Sequence, residues 1–435
     1  MTKIFFLRIL VLYTATFFAQ DSIVWNSKKD KIKIPFELSH NLIIIDVVFN
    51  GVKLKMIADT GAEKNILFAF PEKDSITLHK ASKMKVSGVG TGSAIEAYIS
   101  NSNKLEINNY TDFNFQILLI PNQEINIVNK LGIPINGVLG SSFFKSFITE
   151  INYEKKMLFL HKKLPTNSSS YNKTNVLISN NKAYINVDAY INDTFLKLKL
   201  LYDTGLSDGL WLFKDEKIII NNKSINDILG RGLSGDITGE RSRVDKVVFD
   251  NFEMKEVLVA YPDSSSFKQI EIIKGRNGSL GGEVTKRFNW ILDYKSNTFY
   301  FKKNNLFYEP FNFNMSGIEV QHSGMQLIKE ELDYSAATSK IALVKNENNF
   351  NFSQDFRYQL KPVFEIYAVR KDSPADKIGI KVGDVLKKIN GVASYNLSIQ
   401  RITDIFQSEE GKQITIVVDR KGEILTFKFN LEKIL

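Results

Sequence analysis

Residues 54–61 read Leu-Lys-Met-Ile-Ala-Asp-Thr-Gly, and residues 198–205 repeat the pattern as Leu-Lys-Leu-Leu-Tyr-Asp-Thr-Gly. In each copy an apolar run and a turn dipeptide, Asn50-Gly51 or Asn192-Asp193, come just before the pattern. Two apolar runs joined by such a dipeptide predict a β-hairpin. We therefore expect Asp59 and Asp203 to lie at equivalent places, each at the end of the second strand of its hairpin.

The repeat continues downstream at nearly constant spacing. Gly137-Val138-Leu139-Gly140 in the first copy matches Gly278-Ser279-Leu280-Gly281 in the second. Beyond these come Ile151-Asn152-Tyr153 and Leu292-Asp293-Tyr294, each followed by a lysine-bearing turn and an apolar strand. A Gly-rich loop also lies between the anchors of each copy, at residues 88–92 and 230–235. Ordered matches of this kind indicate an internal duplication.

The duplication divides the chain into units. We predict a first lobe over residues 21–163, a second lobe over 175–307, and a polar linker at Leu164–Thr174 between them. Both lobes are expected to be all-β, apart from a short helix after each Gly-x-Leu-Gly. Residues 309–435 form a third unit that differs in kind and contains a helical segment between strands.

The duplicated pattern resembles the retropepsin-like and pepsin-like aspartic proteases over roughly residues 40–160 and 180–303. The resemblance implies two β lobes related by a pseudo-twofold axis, with Asp59 and Asp203 as the catalytic dyad. Thr60, Gly61, Thr204 and Gly205 would support that dyad, and neither metal nor cofactor is implied. Two carboxyl groups this close share a proton, and the aspartic proteases are the standard instance of such a pair. Such a pair can activate a water molecule and protonate the oxygen of the scissile carbonyl.

The Gly-rich loops occupy the position of the flap that closes over substrate in this family. Gly88 and Gly90 are therefore candidate substrate-binding residues. Neither loop carries the tyrosine of the pepsin flap, so the chain resembles the retropepsin type, with both lobes supplied in cis and a monomeric catalytic unit expected. Leu206 departs from the family, because that position usually holds Ala, Ser or Thr.

The C-terminal unit resembles PDZ domains, especially those attached to bacterial periplasmic proteases. A strand runs into Ser373, a helix N-cap followed by Pro374, and a second strand closes at Asn390-Gly391. PDZ domains add an extended peptide C-terminus as a strand. The stretch expected to hold the carboxylate, residues 360–363, has no glycine and contains Pro362. Peptide capture and a docking role therefore both stay open, and deletion of residues 309–435 is expected to leave cleavage of short peptides largely intact.

Composition and the N-terminus limit the remaining possibilities. The 435 residues carry a formal charge of +9, but the lysines are scattered, which argues against nucleic-acid binding. There is no cysteine, which excludes disulfides and cysteine catalysis. Lys3 and Arg8 lie at the start of an apolar stretch that runs from Ile9 to Ala19. This pattern predicts a signal peptide over residues 1–20 and an exported, periplasmic or secreted protein. An uncleaved membrane anchor is the alternative; no span is expected after cleavage.

Two further motifs lack the context that their chemistry needs. Residues 230–235 fit Gly-x-Gly-x-x-Gly without a βαβ unit, and residues 205–209 fit Gly-x-Ser-x-Gly without a following helix. The sequence therefore predicts a mostly β protein, with two acid-protease lobes and a PDZ-like α+β domain, acting as an exported aspartic endopeptidase. A catalytically decayed envelope scaffold that binds peptides through the cleft and the PDZ-like domain is the main alternative. A glycan hydrolase or binder is a third.

Overall fold

The structure is a computed structural model that describes residues 23–68, 75–121, 131–220, 223–331 and 356–435. The predicted signal peptide, residues 1–20, lies outside these ranges. Strand accounts for 53% and helix for 10% of the chain, which confirms the expectation of a mostly β protein. Within the described ranges, no helix has both the length and the apolar character needed to cross a bilayer.

The first lobe is built around the hairpin that leads to Asp59. Its elements are β1 (Ile23–Trp25), β2 (Lys31–Pro35), β3 (Glu37–Ser39), β4 (Leu42–Phe49), β5 (Val52–Ala58), β6 (Ile66–Leu67), β7 (Ser82–Val86), β8 (Ile95–Ile107), β9 (Tyr110–Leu119), β10 (Gly137–Leu139), α1 (Ser141–Phe144), β11 (Ile148–Asn152) and β12 (Met157–His161). One sheet has the order β1-β9-β6-β10-β5-β4-β8-β7, with β3 added to β4. The predicted hairpin is β4 and β5, joined at Asn50-Gly51, and the predicted short helix is α1.

The second lobe repeats this plan. Its elements are β13 (Asn172–Ser179), β14 (Lys182–Ile191), β15 (Thr194–Tyr202), β16 (Leu210–Leu212), β17 (Ile225–Gly232), β18 (Gly235–Phe249), β19 (Phe252–Pro262), β20 (Gly278–Leu280), α2 (Gly282–Thr285), β21 (Phe288–Asp293) and β22 (Thr298–Lys303), with 3-10 turns at Thr166–Ser170, Ser264–Phe267 and Asn305–Tyr308. β13 begins at Asn172, inside the stretch predicted as a linker. The hairpin of β14 and β15, the strand β20 and the helix α2 match β4, β5, β10 and α1.

Six strands at one end of a thirteen-stranded sheet join the two lobes. Their order is β13-β22-β21-β11-β12-β2, so each lobe contributes three of them. At the centre β11 and β21 pair antiparallel, with Ile148 opposite Asp293 and Ile151 opposite Trp290. Trp290 is fully buried and packs edge-on against Tyr202, one residue before Asp203. The two lobes are therefore connected by a continuous sheet over a buried apolar core, which fixes one Asp-Thr-Gly loop relative to the other.

The C-terminal unit is a third sheet. Its elements are β23 (Ile318–Glu331), β24 (Phe356–Val369), α3 (Pro374–Lys377), β25 (Val385–Ile389), β26 (Val392–Ala393), α4 (Ile399–Phe406), β27 (Gln413–Arg420) and β28 (Glu423–Asn430), with a 3-10 turn at Ser394–Asn396. The strand order is β23-β24-β25-β27-β28, with β26 on β25. Ser373 caps α3 as predicted, because its hydroxyl accepts a hydrogen bond from the Asp376 amide at 3.3 Å.

The stretch expected to form a carboxylate loop, residues 360–363, is part of a strand. Residues 360–363 lie inside β24 and pair with β23, and it is β23 that packs against α4. The loop before β23 is Asn314–Gly317, tied to the end of α4 by the Met315 amide, which donates to the Phe406 carbonyl at 3.0 Å. The amides of Ser316 and Gly317 already donate to Asn314 Oδ1. Since these donors are occupied, this loop offers little to a peptide carboxylate.

Candidate active site

The two Asp-Thr-Gly loops leave the sheet in the same way. The amide of Asp59 donates to the Leu139 carbonyl at 2.9 Å, and that of Asp203 donates to the Leu280 carbonyl at 2.9 Å. These bonds extend the parallel pairing of β10 with β5 and of β20 with β15. The Gly-x-Leu-Gly elements therefore hold each aspartate at the end of its strand.

Thr60 and Thr204 lock the loops to one another through the twofold axis. The Thr60 hydroxyl donates to the Tyr202 carbonyl at 2.7 Å and accepts from the Thr204 amide at 3.1 Å. In the twofold-related arrangement, the Thr204 hydroxyl donates to the Ala58 carbonyl at 2.7 Å and accepts from the Thr60 amide at 3.1 Å. Both threonines are essentially inaccessible to solvent. Four buried hydrogen bonds therefore fix the separation of the two aspartates.

Each glycine of the motif makes room for the aspartate of the opposite lobe. A Cβ on Gly61 would lie 2.3 Å from Asp203 Oδ1, and one on Gly205 would lie 2.1 Å from Asp59 Cγ. Any side chain at either position would push the carboxyl groups apart. The structure thus brings together all six residues predicted for the dyad and its support.

The surroundings of the two carboxyl groups differ. Asp59 Oδ1 accepts from the amides of Gly61 at 2.7 Å and Ala62 at 3.0 Å, whereas Asp203 Oδ1 accepts only from Gly205 at 3.1 Å. Burial raises the pKa of Asp59, and these two amides oppose the rise. Burial and the neighbouring Asp59 charge raise the pKa of Asp203 to about 7. The two groups therefore titrate as one coupled pair, and both pKa values lie above that of a free aspartate.

Two flaps meet over the dyad. Flap 1 is the loop 87–94 between β7 and β8, and flap 2 is the hairpin of β17 and β18. The Ser234 amide of flap 2 donates to the Val89 carbonyl at 3.0 Å, and the Gly92 amide donates to the Ser234 carbonyl at 2.6 Å. Gly88 donates to Ser234 Oγ at 3.0 Å, and Gly90 donates to the Ser266 carbonyl at 2.8 Å. Gly88 and Gly90 thus lie where the two tips are closed on one another, and their role in substrate binding stays a prediction.

Below the flaps the dyad faces a cavity of about 980 Å³. Both lobes line it, and so do residues of the C-terminal unit, among them Asn314, Tyr367, Arg370, Ile399 and Gln400. The C-terminal unit therefore faces the cavity, and the predicted activity of the chain without it stays a prediction. Its motif contains no catalytic acid, but nothing in the motif determined which face of the unit would turn toward the lobes.

Specific contacts hold the C-terminal unit in this place. Arg287 is fully buried, its guanidinium lies 3.7 Å from the centre of the Phe311 ring, and it donates to backbone carbonyls of the segment 306–310. On the first lobe, the His40 amide donates to Gln400 Oε1 at 2.6 Å. Phe311, Phe313 and Met315 belong to the same buried core as the lobes. The unit is packed into the protease and is not tethered beside it.

A charged network that the sequence did not reveal supports the second lobe of the site. Arg241 donates to Asp208 at 2.8 Å and to Asp227 at 2.9 Å, and Asp208 also accepts from the Trp211 indole at 2.7 Å. Glu319 of the C-terminal unit lies close to Asp227, and burial with that repulsion raises its pKa to about 7. These residues come from distant strands, so no local motif connects them.

The weaker motifs have ordinary structural roles. Residues 230–235 form the turn of flap 2, and Ser207 is followed by the strand β16 and not by a helix. Within the part of the chain that the structure describes, no group of three His, Asp or Glu side chains is placed to hold a metal ion.

Comparison with known proteins agrees with this geometry. The family model described as "Aspartyl protease" matches residues 45–143, which lie in the first lobe, and the model described as "PDZ domain" matches residues 365–420. Among solved structures, the aspartic proteinase from Irpex lacteus is similar with a TM-score of 0.43 and 10% sequence identity, over 65% of this chain and 100% of that chain. The chain therefore contains an aspartyl protease domain and, toward its C-terminus, a PDZ domain.

Proposed function

We propose that this protein is an aspartic endopeptidase that hydrolyses peptide bonds through Asp59 and Asp203. The observation that supports the proposal best is the crossed bonding of Thr60 and Thr204, which holds two buried carboxyl groups in direct contact at the floor of a cleft. Buried like charges at this distance favour a singly protonated pair, which is the form that acid–base catalysis on a carbonyl needs.

The asymmetry of the pair gives each carboxyl group a role. Ionised Asp59, stabilised by two amides, takes a proton from a water molecule as its oxygen attacks the scissile carbonyl carbon. Asp203 donates its proton to the carbonyl oxygen, which gives a tetrahedral gem-diol. Asp59 then gives its proton to the amide nitrogen, Asp203 takes a proton back from the diol, and the C–N bond breaks to release an acid and an amine. Each carboxyl group alternates between acid and base, so the pair returns to one shared proton.

The direct test is cleavage of a synthetic peptide library by the purified protein with and without pepstatin. We expect internal bonds to be cut, the inhibitor to stop the reaction, and the Asp203→Asn variant to be inactive. Peptide retention without any cleavage would support the decayed scaffold instead. Leu206 is the feature that favours the scaffold, and its side chain packs against the cluster of Trp211 and Phe267.

We also propose that the protein is exported, on the strength of residues 1–20 alone. Fusion of this segment to a reporter enzyme that is active only outside the cytoplasm tests the idea. An active reporter is expected, and an inactive, cell-retained reporter would refute export. A monomeric catalytic unit is proposed because both lobes belong to one chain, and specific activity should then be independent of protein concentration.

A further inference from the structure

The pseudo-twofold axis relates two walls of the cavity that should be alike and are not. In the first lobe, the residues beside Asp59 on the cavity face of the sheet are Leu42, Ile57 and Val138. Val138 pairs with Ile57 across β10 and β5, and Ile57 pairs with Ile44, two residues after Leu42. These residues form a small apolar cluster of their own, with Ile135 behind it.

The equivalent residues of the second lobe follow from the same register. Ser279 pairs with Leu201 across β20 and β15, and Leu201 pairs with Tyr184, two residues after Lys182. Lys182 therefore corresponds to Leu42, Leu201 to Ile57 and Ser279 to Val138. Asn136 and Asn277 accept equivalent backbone bonds, from the amides of Lys55 and Lys199, so Arg276 corresponds to Ile135. The second wall has two cations where the first wall has aliphatic side chains.

Arg276 is held with its charge toward the cavity. Its Nε donates to the Gly278 carbonyl at 2.9 Å and its Nη2 donates to Ser279 Oγ at 2.7 Å. The Phe213 ring packs beneath it, with its centre 5.3 Å from the guanidinium carbon. The planar group is thus fixed in orientation, which is the arrangement that suits recognition of a carboxylate.

Neither cation has an ion-pair partner among the residues that the structure describes. The acidic groups that act on Lys182 are Glu63 of the first lobe, Asp59 and Asp203; Asp203 also acts on Arg276. None of them forms a salt bridge with either cation, and Glu63 forms one with Lys64 at 3.7 Å. Burial lowers the pKa of both cations, because it destabilises their charged forms. A ligand carboxylate would stabilise those charged forms again.

We propose that Lys182 and Arg276 form a subsite for a carboxylate of the substrate, on one side of the scissile bond only, with an apolar residue preferred on the other side. This inference rests on the proposed peptidase function. The carboxylate can belong to an Asp or Glu side chain or to the C-terminus of a short peptide, and the chemistry of recognition is the same.

The test begins with a synthetic peptide library and mass spectrometry of the cleavage sites. We expect Asp and Glu to be enriched on one side of the cut and apolar residues on the other. The best sequence is then made with Glu or Gln at the selected position, and in a version truncated there with a free acid or an amide. A charge-assisted bond predicts a preference of about tenfold or more in kcat/KM for the carboxylate form. The Glu/Gln pair and the acid/amide pair separate the two sources.

Lys182→Leu gives the second wall the residue of the first, and we expect the Glu/Gln ratio to fall toward one. Lys197→Leu removes the same charge from an exposed position on β15, away from the cavity, and should leave the ratio as it is in the wild type. Arg276→Leu serves as a second variant. Apolar preference on both sides, or a ratio that Lys182→Leu leaves unchanged while it shifts the pH profile, would overturn the proposal.

The two hypotheses fail in different ways. If the wild-type protein cleaves nothing, the proposed function is wrong, and the same library is read by capture on the immobilised protein. Retained peptides rich in acidic residues, with the enrichment lost in Lys182→Leu, would still support the subsite. Retention without acidic preference, or no retention at all, would refute it.

Discussion

Asp59 and Asp203 occupy the same position of the same motif and still have different chemistry. The difference comes from one backbone amide: Ala62 donates to Asp59, whereas the Leu206 amide turns back to the Asp203 carbonyl at 3.4 Å. The extra donor favours the ionised form of Asp59, and burial beside that charge favours the protonated form of Asp203. In the proposed mechanism, this loop geometry makes Asp59 the base and Asp203 the acid.

Replacement of either aspartate with asparagine should abolish peptidase activity, because one carboxyl group cannot both take and donate the shared proton. We expect kcat/KM to fall by at least about a thousandfold in Asp203→Asn. Asp46→Asn is the control, since the Asp46 side chain is 82% exposed on the first lobe. Circular dichroism should be unchanged in all variants, and full activity in Asp203→Asn would refute the dyad.

The pH profile follows from the raised pKa of Asp203. Activity needs one proton on the pair, so it should persist as pH rises and be lost only near pH 7, where Asp203 ionises. An Ala62→Ser hydroxyl would add a donor to ionised Asp59, lower the pKa of that group and move the acidic limb of the profile to lower pH. Leu206→Ala changes bulk without adding a donor and is the matched control. A strongly acidic wild-type optimum, or no shift in Ala62→Ser, would contradict this argument.

At the scale of elements, the two threonine loops act as one structural unit. Thr204→Val keeps the shape but leaves the Ala58 carbonyl and the Thr60 amide buried without partners. We expect the free energy of unfolding to fall by about 2–4 kcal/mol, the cost of such unsatisfied groups. Thr204→Ser retains the hydroxyl and should restore most of the loss in urea denaturation. Equal stability of the two variants would show that the crossed bonds contribute nothing.

The flap tips are the second pair of elements that must fit together. Gly90 has a φ of +133°, and a Cβ there would lie 2.5 Å from the backbone of Ser234. Gly90→Ala should therefore prevent closure and lower kcat/KM by roughly tenfold to a hundredfold, the usual effect of misplaced positioning groups. Gly51→Ala carries the same kind of backbone strain at a φ of +89° but meets no atom within 4 Å. If both variants lose the same activity, the flap contact is not the cause.

The sequence predicted those features that repeat. The hairpins, both Asp-Thr-Gly loops, the Gly-x-Leu-Gly elements and the positions of the flaps all follow from local pattern and spacing. It did not predict that the walls beside the dyad differ, because Leu42 and Lys182 become equivalent only when strand register is known. It also expected a carboxylate loop at residues 360–363, which instead lie in β24, because no local pattern reveals that β23 and β24 pair.

At the scale of the whole molecule, the C-terminal unit is part of the protease. Deletion of residues 309–435 removes the Pro310 carbonyl that Arg287 binds and the Phe311 ring stacked on it, and leaves the ion pair of Arg287 with Glu283. We expect a large loss of thermal stability, because Phe311, Phe313 and Met315 leave the shared core, and the loss of one buried aromatic side chain alone costs roughly 3–5 kcal/mol. Deletion of residues 318–435 keeps those partners and should be less destabilising. Calorimetry compares the two, and equal stability would contradict the anchoring role of Arg287.

The sheet that joins the lobes also sets the order of events during synthesis. β11 can pair with β21 only after residues 288–293 have left the ribosome. Thr60 and Thr204, which bond to each other, are 144 positions apart in the chain. Contacts this distant in sequence form late in folding. A nascent chain that has emerged only through its first lobe holds one carboxyl group and no dyad. On the proposed function, peptidase activity begins only after both lobes have been synthesised and have paired.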